Sequence, residues 1–174
     1  MLHGLHVDLS AMLAAREARA LRQRDLLARF HVPLLSYTLN IPGPVKTSAD
    51  IRRAFDAGLD ALTAALAKRN IPCIAREERH EATGDEAILA LRAAPEEIKS
   101  IAVTLEETHP LGRLFDMDVL DAAGEKITRP IPRRCLLCGR QAQDCARSRR
   151  HSVAQLQEVV ERLLRTDYEM PPPA

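Results

Sequence analysis

Apolar and polar positions change their period several times along this 174-residue chain, and each change marks an element. Over residues 9–30, Leu13, Ala14, Ala20, Leu21, Leu27 and Ala28 return at helical spacing with arginines between them. That pattern predicts an amphipathic helix, ended by Pro33. Residues 34–40 alternate instead, with Leu34, Ser36 and Thr38 on one side and Leu35, Tyr37 and Leu39 on the other, as in a strand. Two prolines and a glycine make 41–46 a rigid loop. Ser48 or Asp50 then caps a helix to about residue 70, with Ile51, Phe55, Leu59, Leu62 and Leu66 along one face. Strands are expected at 72–78 and 86–92, joined by a turn at Thr83-Gly84-Asp85. A helix follows over 95–107, opened by Pro95 and striped by Ile98, Ile101, Ala102 and Leu105. A strand at 114–121 turns at Ala122-Ala123-Gly124 into a partner at 125–129. A last helix covers 152–165, before a frayed tail at Pro171-Pro172-Pro173.

The sum is an α+β chain: a mixed β-sheet with flanking helices and a C-terminal Cys/Arg-rich segment plus helix, in one domain over 1–174. Aromatic residues supply only 3% and Trp is absent, so Leu, Ile, Val and Ala are expected to build most of the core. Apolar runs are too short for a membrane span, and the first residues lack the basic-then-apolar order of a secretory leader. A cytoplasmic protein with no membrane partner is expected. With 25 basic and 24 acidic side chains the net charge is +1, which argues against a nucleic-acid partner. The charge is nonetheless segregated, at −6 over 77–107 and +7 over 126–150. A basic block of that density meets phosphates or an acidic partner surface, unless it is simply a solvated face.

The sharpest chemical signal is His109-Pro110-Leu111-Gly112-Arg113-Leu114-Phe115-Asp116-Met117-Asp118. On a strand, Asp116 and Asp118 project from one face while Phe115, Met117 and Val119 enter the core. Two such carboxylates repel unless a cation lies between them, and Mg²⁺ with its preference for hard oxygen ligands is the expected one. Arg113 offers a planar fork for phosphate oxygens, but strand parity puts it on the core side unless Gly112 bends the chain. His109 offers a proton acceptor or a phosphate ligand. The Pro-Gly-Pro loop would hold Asn40 and Lys46 in place, with Lys46 either a phosphate contact or a surface lysine. Cys135, Cys138, Cys145 and His151 have the composition of a structural Zn²⁺ site, with buried or free thiols as the alternative. Cys73 reads as core, and His31 and His80 as surface histidines without partners.

Three motifs in order carry a resemblance: Pro33 through Thr38 leading into Pro42-Gly43-Pro44-Val45-Lys46, His109 through Val119, and Arg133-Arg134-Cys135-Leu136-Leu137-Cys138 with Cys145-Ala146-Arg147. Together they resemble the holo-citrate lyase synthase family, the apo-citrate lyase phosphoribosyl-dephospho-CoA transferases, over about 16–164. The resemblance implies a nucleotidyltransferase that moves the 2′-(5″-phosphoribosyl)-3′-dephospho-CoA group from its 5″-triphosphate, 2′-(5″-triphosphoribosyl)-3′-dephospho-CoA. The acceptor would be a serine of the citrate lyase acyl carrier subunit, with diphosphate released. Under that reading Asp116 and Asp118 hold Mg²⁺, Arg113 meets the triphosphate and His109 is a secondary contact or base. The basic run containing Arg133, Arg134 and Arg147 docks the carrier or holds cofactor phosphates. A third carboxylate would be Asp121 or Glu107. The competing readings are a non-catalytic zinc-knuckle adaptor, and a related carrier-modifying transferase or hydrolase with a different phosphorylated donor.

Overall fold

A computed structural model describes residues 4–165; the proline tail expected at 171–173 lies outside the described residues. Helix α1 (Leu9–Phe30) leads into strand β1 (Leu34–Leu39), followed by α2 (Ala49–Lys68) and the hairpin of β2 (Cys73–Glu81) and β3 (Gly84–Leu91). Helix α3 (Pro95–Thr108) and a single 3₁₀ turn (Gly112–Leu114) precede β4 (Phe115–Leu120), and α4 (Ala142–Arg147) and α5 (Val153–Leu164) complete the chain. The four strands form one sheet in the order β2-β3-β1-β4, antiparallel at every pairing rather than mixed. No described helix is long and apolar enough to cross a membrane.

The alternation along β1 sorts its side chains onto two unlike faces. Leu35 and Tyr37 join Phe115, Met117 and Val119 of β4 in the main core, beneath α2 and α3. The few aromatic residues concentrate there: Tyr37 stacks on Phe55 at 4.8 Å between ring centres and meets Phe115 edge-on at 5.6 Å. Helix α2 approaches this group closely because residue 58 is glycine; a Cβ there would sit 2.1 Å from Tyr37 Oη.

The opposite face is split along its length. Leu34, Ile88 and Ala90 make an apolar half covered by Leu26, with Leu27 and Phe30 at its margin. Ser36, Thr38, Glu86, Asp116 and Asp118 make a polar half. Helix α1 spans both halves with Met12, Arg16, Arg19, Gln23 and Leu26, side chains spaced three or four residues apart. The expected apolar stripe therefore does not face the core: Leu13, Ala14, Ala20, Leu21 and Ala28 are exposed. What meets the sheet is a row that changes from cationic to apolar along the helix, as the sheet beneath it changes from acidic to apolar.

Strand β4 is an edge, and the partner strand expected at 125–129 shrinks to one bridge between Leu120 and Lys126. Side chains take over the remaining edge groups. Met117 N–H donates to the buried Glu106 at 2.9 Å, Met117 C=O accepts from Lys99 Nζ at 2.9 Å, and Phe115 C=O accepts from Arg133 at 2.6 Å. Satisfied in this way, the edge has little capacity left to pair with another strand. At the other edge, a bulge between Cys73 and Ala75 leaves Cys73 exposed rather than in the core.

Candidate active site

The polar half of the sheet is the floor of a cleft of about 420 Å³. Register builds it. Thr38 lies opposite Glu86 of β3 on one side and Asp116 of β4 on the other, and Ser36 lies opposite Asp118. Residues directly opposite in neighbouring strands share a face, so carboxylates and hydroxyls converge on one surface. The wall is cationic: Arg16 and Arg19 come from α1, and Lys46 from the end of the Pro-Gly-Pro loop. Across that loop, Lys46 Nζ donates to the Ile41 carbonyl at 2.6 Å. Partial burial and the neighbouring Arg16 lower the Lys46 pKa.

The carboxylates are not equivalent. Glu86 is buried and held by Arg22 and by Arg19, whose Nε lies 3.3 Å away. Asp118 pairs with Lys126 at 2.7 Å. Asp116 has no hydrogen bond or ion pair among the described residues and opens into the cleft. The protein closing round its carboxyl, together with the adjacent Asp118, raises its pKa. Asp116 and Asp118 also line a second opening of about 380 Å³ on the edge side of β4, beside Lys126, Arg129 and Arg133. Two carboxylates with flanking hydroxyls form a hard-oxygen donor set, and their repulsion would be relieved by a divalent cation. The residues present therefore fit Mg²⁺.

Other expected participants are placed elsewhere. Gly112 does bend the chain: its missing Cβ, which would lie 2.3 Å from the Leu105 carbonyl oxygen, lets a 3₁₀ turn pack on the end of α3. The bend sends Arg113 toward the cysteine segment, where it donates to the Arg134 carbonyl at 2.6 Å, and Arg113 does not line the carboxylate cleft. His109 is half-buried 4.9 Å from the Phe115 ring and does not line the cleft either. Its Nδ1 accepts from Leu111 N–H at 3.0 Å, and burial lowers its pKa. Neither expected third carboxylate joins the pair. Asp121 accepts from Ala123 and Glu125 N–H in a turn, and Glu107 pairs with Arg129 at 2.9 Å. Glu86 lines the same cleft but stands on β3, across β1 from Asp116, and is paired with Arg19 and Arg22. Its signal in the sequence was its parity, since it falls opposite Thr38 once β1 and β3 are paired. His80 has a partner, with Nδ1 3.0 Å from Asp85.

The cysteine segment folds as a unit. A bridge between Arg134 and Gln141 closes a loop bearing Cys135 and Cys138, α4 carries Cys145, and His151 follows. The four donor atoms lie within 4.8 Å of one another, and all three thiols are free. Leu137 N–H points to Cys135 Sγ at 3.5 Å. This cluster could hold a metal such as zinc, for which tetrahedral ligand atoms about 3.8 Å apart are expected. Arg133 and Arg134 line an adjoining cavity of about 560 Å³ with Arg113, Cys135, Leu136 and residues of α5. Arg147 is exposed on α4 and does not line that cavity.

A family profile described as apo-citrate lyase phosphoribosyl-dephospho-CoA transferase matches residues 7–167. The chain belongs to this family. Curated proteins of that name from Shigella boydii serotype 18 and Escherichia coli O157:H7 are each 40% identical to it over 162 residues, covering 91% of this chain and 88% of theirs. The match to the transferase family spans α1 through α5, so the cleft, the Pro-Gly-Pro loop and the cysteine cluster all lie within it.

Proposed function

We propose that this transferase moves the phosphoribosyl-dephospho-CoA group from its triphosphate precursor to a serine of the citrate lyase acyl carrier subunit, and that the Asp116–Asp118 cleft is where it does so. The serine oxygen forms a bond to the α-phosphorus and the bond from that phosphorus to the leaving diphosphate breaks. The hydroxyl proton is released, and a phosphodiester joins the prosthetic group to the carrier. Catalysis of this kind depends on positioning and on neutralising charge along the phosphate chain. The observation that carries the reading is the pair of carboxylates on one strand face, in a cleft walled by Arg16, Arg19 and Lys46.

Asp116 and Asp118 would hold Mg²⁺, which would neutralise charge on the phosphoryl oxygens when bound. Arg16, Arg19 and Lys46 would grip the triphosphate, and Ser36 and Thr38 would orient it. His109 acts in this account by shaping the turn that delivers β4 rather than by touching substrate, and Arg113 by anchoring the cysteine segment. The Cys135, Cys138, Cys145 and His151 cluster would carry structural Zn²⁺, because four protein ligands leave no open position for chemistry. The exposed Arg147 lies on the surface where an acidic carrier would be attracted.

The test is to incubate the enzyme with apo carrier subunit and the triphosphate donor, with and without Mg²⁺, and read the carrier by mass. A gain equal to the donor less diphosphate, present only with the divalent cation, is expected. An equal gain without any divalent cation would remove the metal from the reaction, and no gain under either condition would remove the reaction itself.

A further inference from the structure

The carboxylate cleft is too polar to accommodate the whole of a CoA-derived donor. Its floor and walls are carboxylates, hydroxyls and cations, with few apolar side chains among them. The neighbouring cavity of about 560 Å³ has the opposite character. Pro42, Leu136, Val153 and Leu156 give it an apolar interior, within the size range of small-molecule sites. Two of its four arginines sit at fixed places. Arg133 is held by the carbonyls of Gly112 and Phe115 at 3.1 and 2.6 Å, and Arg113 by that of Arg134. Arg134 and Arg149 line the same cavity and form no ion pair among the described residues. The far wall is clamped too, because Gln157 of α5 donates to the Pro42 carbonyl at 3.3 Å. An apolar interior with uncompensated guanidinium groups suits an elongated molecule that has a flat or aliphatic body and phosphates along it. The two spaces meet at Asn40, which lines both.

We propose that this second cavity binds the 3′-dephospho-CoA body of the donor, its adenine and pantetheine against the apolar interior and its diphosphate on Arg134 and Arg149. The triphosphate arm would then pass Asn40 into the carboxylate cleft. The choice of ligand rests on the transfer reaction proposed above. The cysteine cluster gains a second consequence from it, since Cys135 and Cys145 form part of the cavity wall and a metal there would set the shape of the site.

The experiment is calorimetric titration of the full-length, metal-loaded protein with 3′-dephospho-CoA, and separately with inorganic triphosphate. Ala146→Trp would fill the mouth of the cavity and Arg149→Glu would reverse one of its charges; both positions are exposed. Metal content and circular dichroism of each variant check that the fold persists. In both variants the dissociation constant for 3′-dephospho-CoA should rise about tenfold or more, with that for triphosphate unchanged. Four results would overturn the proposal: no binding of 3′-dephospho-CoA by the parent at millimolar ligand, parental affinity in both variants, an equal loss on Lys46→Ala, or Ala146→Trp weakening only the carrier subunit. Carrier labelling is a separate readout. Its failure alongside the expected titrations would remove the transfer reaction and leave the cavity as a dephospho-CoA site.

Discussion

Asp116 stands apart from the other acidic residues of the cleft. Glu86 is held by two arginines and Asp118 by Lys126, while Asp116 faces the opening beside a like charge. Its pKa is raised in the fold, so the folded state favours its protonated form. That contribution is complete below the unfolded pKa near 3.9 and is lost as pH rises through the higher folded value. At neutral pH the ionised Asp116 therefore costs stability. Asp116→Asn should melt at a higher temperature than the parent at pH 7 without added divalent cation, and the difference should vanish toward pH 4. A lower melting temperature at pH 7 would show instead that the carboxylate is a structural partner.

At the scale of elements, the unusual feature is how β4 is held at the edge of the sheet. Lys99 and Glu106 project from α3 to the two backbone groups of Met117, so the strand that carries both aspartates, paired with β1 on its inner side, is held on its outer side by side chains rather than by a further strand. Glu106→Ala leaves Met117 N–H without its acceptor and the buried Lys99 without its nearby carboxylate. It should cost about 3 kcal/mol, roughly 6–12 °C in melting temperature, while Glu106→Gln, which keeps an acceptor oxygen, should cost less. Equal stability of Glu106→Ala and the parent would refute the clamp. This arrangement explains where the sequence was legible and where it was not. Helix α1 begins and ends where its periodicity says, and the parity of β1 and β4 is right residue by residue, because alternate side chains of each strand enter the main core. The partner strand at 125–129 was misread because a turn followed by strand-like residues carries no sign that α3 had already taken the edge. The facing of α1 was misread because three of the five side chains that meet the sheet, Arg16, Arg19 and Gln23, are polar, and apolar periodicity detects only Met12 and Leu26. Glu86 was missed for the same kind of reason: its role appears only once β3 lies beside β1.

Across the whole molecule, the cleft and the cysteine cluster are two halves of one assembly, joined by the loop at Asn40 and by Arg133, which reaches from the cysteine segment to the backbone of β4. Strong chelation should release about one zinc per chain and remove amide protection over residues 133–151 while the four strands stay protected. Unchanged protection of that segment in zinc-free protein would dismiss the structural metal. The transfer itself is proposed to take place at Asp116 and Asp118. Its most direct test is the single-turnover rate of carrier labelling by Asp116→Asn and Asp118→Asn at saturating donor and Mg²⁺. Folded protein that labels the carrier on the order of 10³-fold more slowly than the parent is the predicted result; labelling at the parental rate by either variant would contradict it.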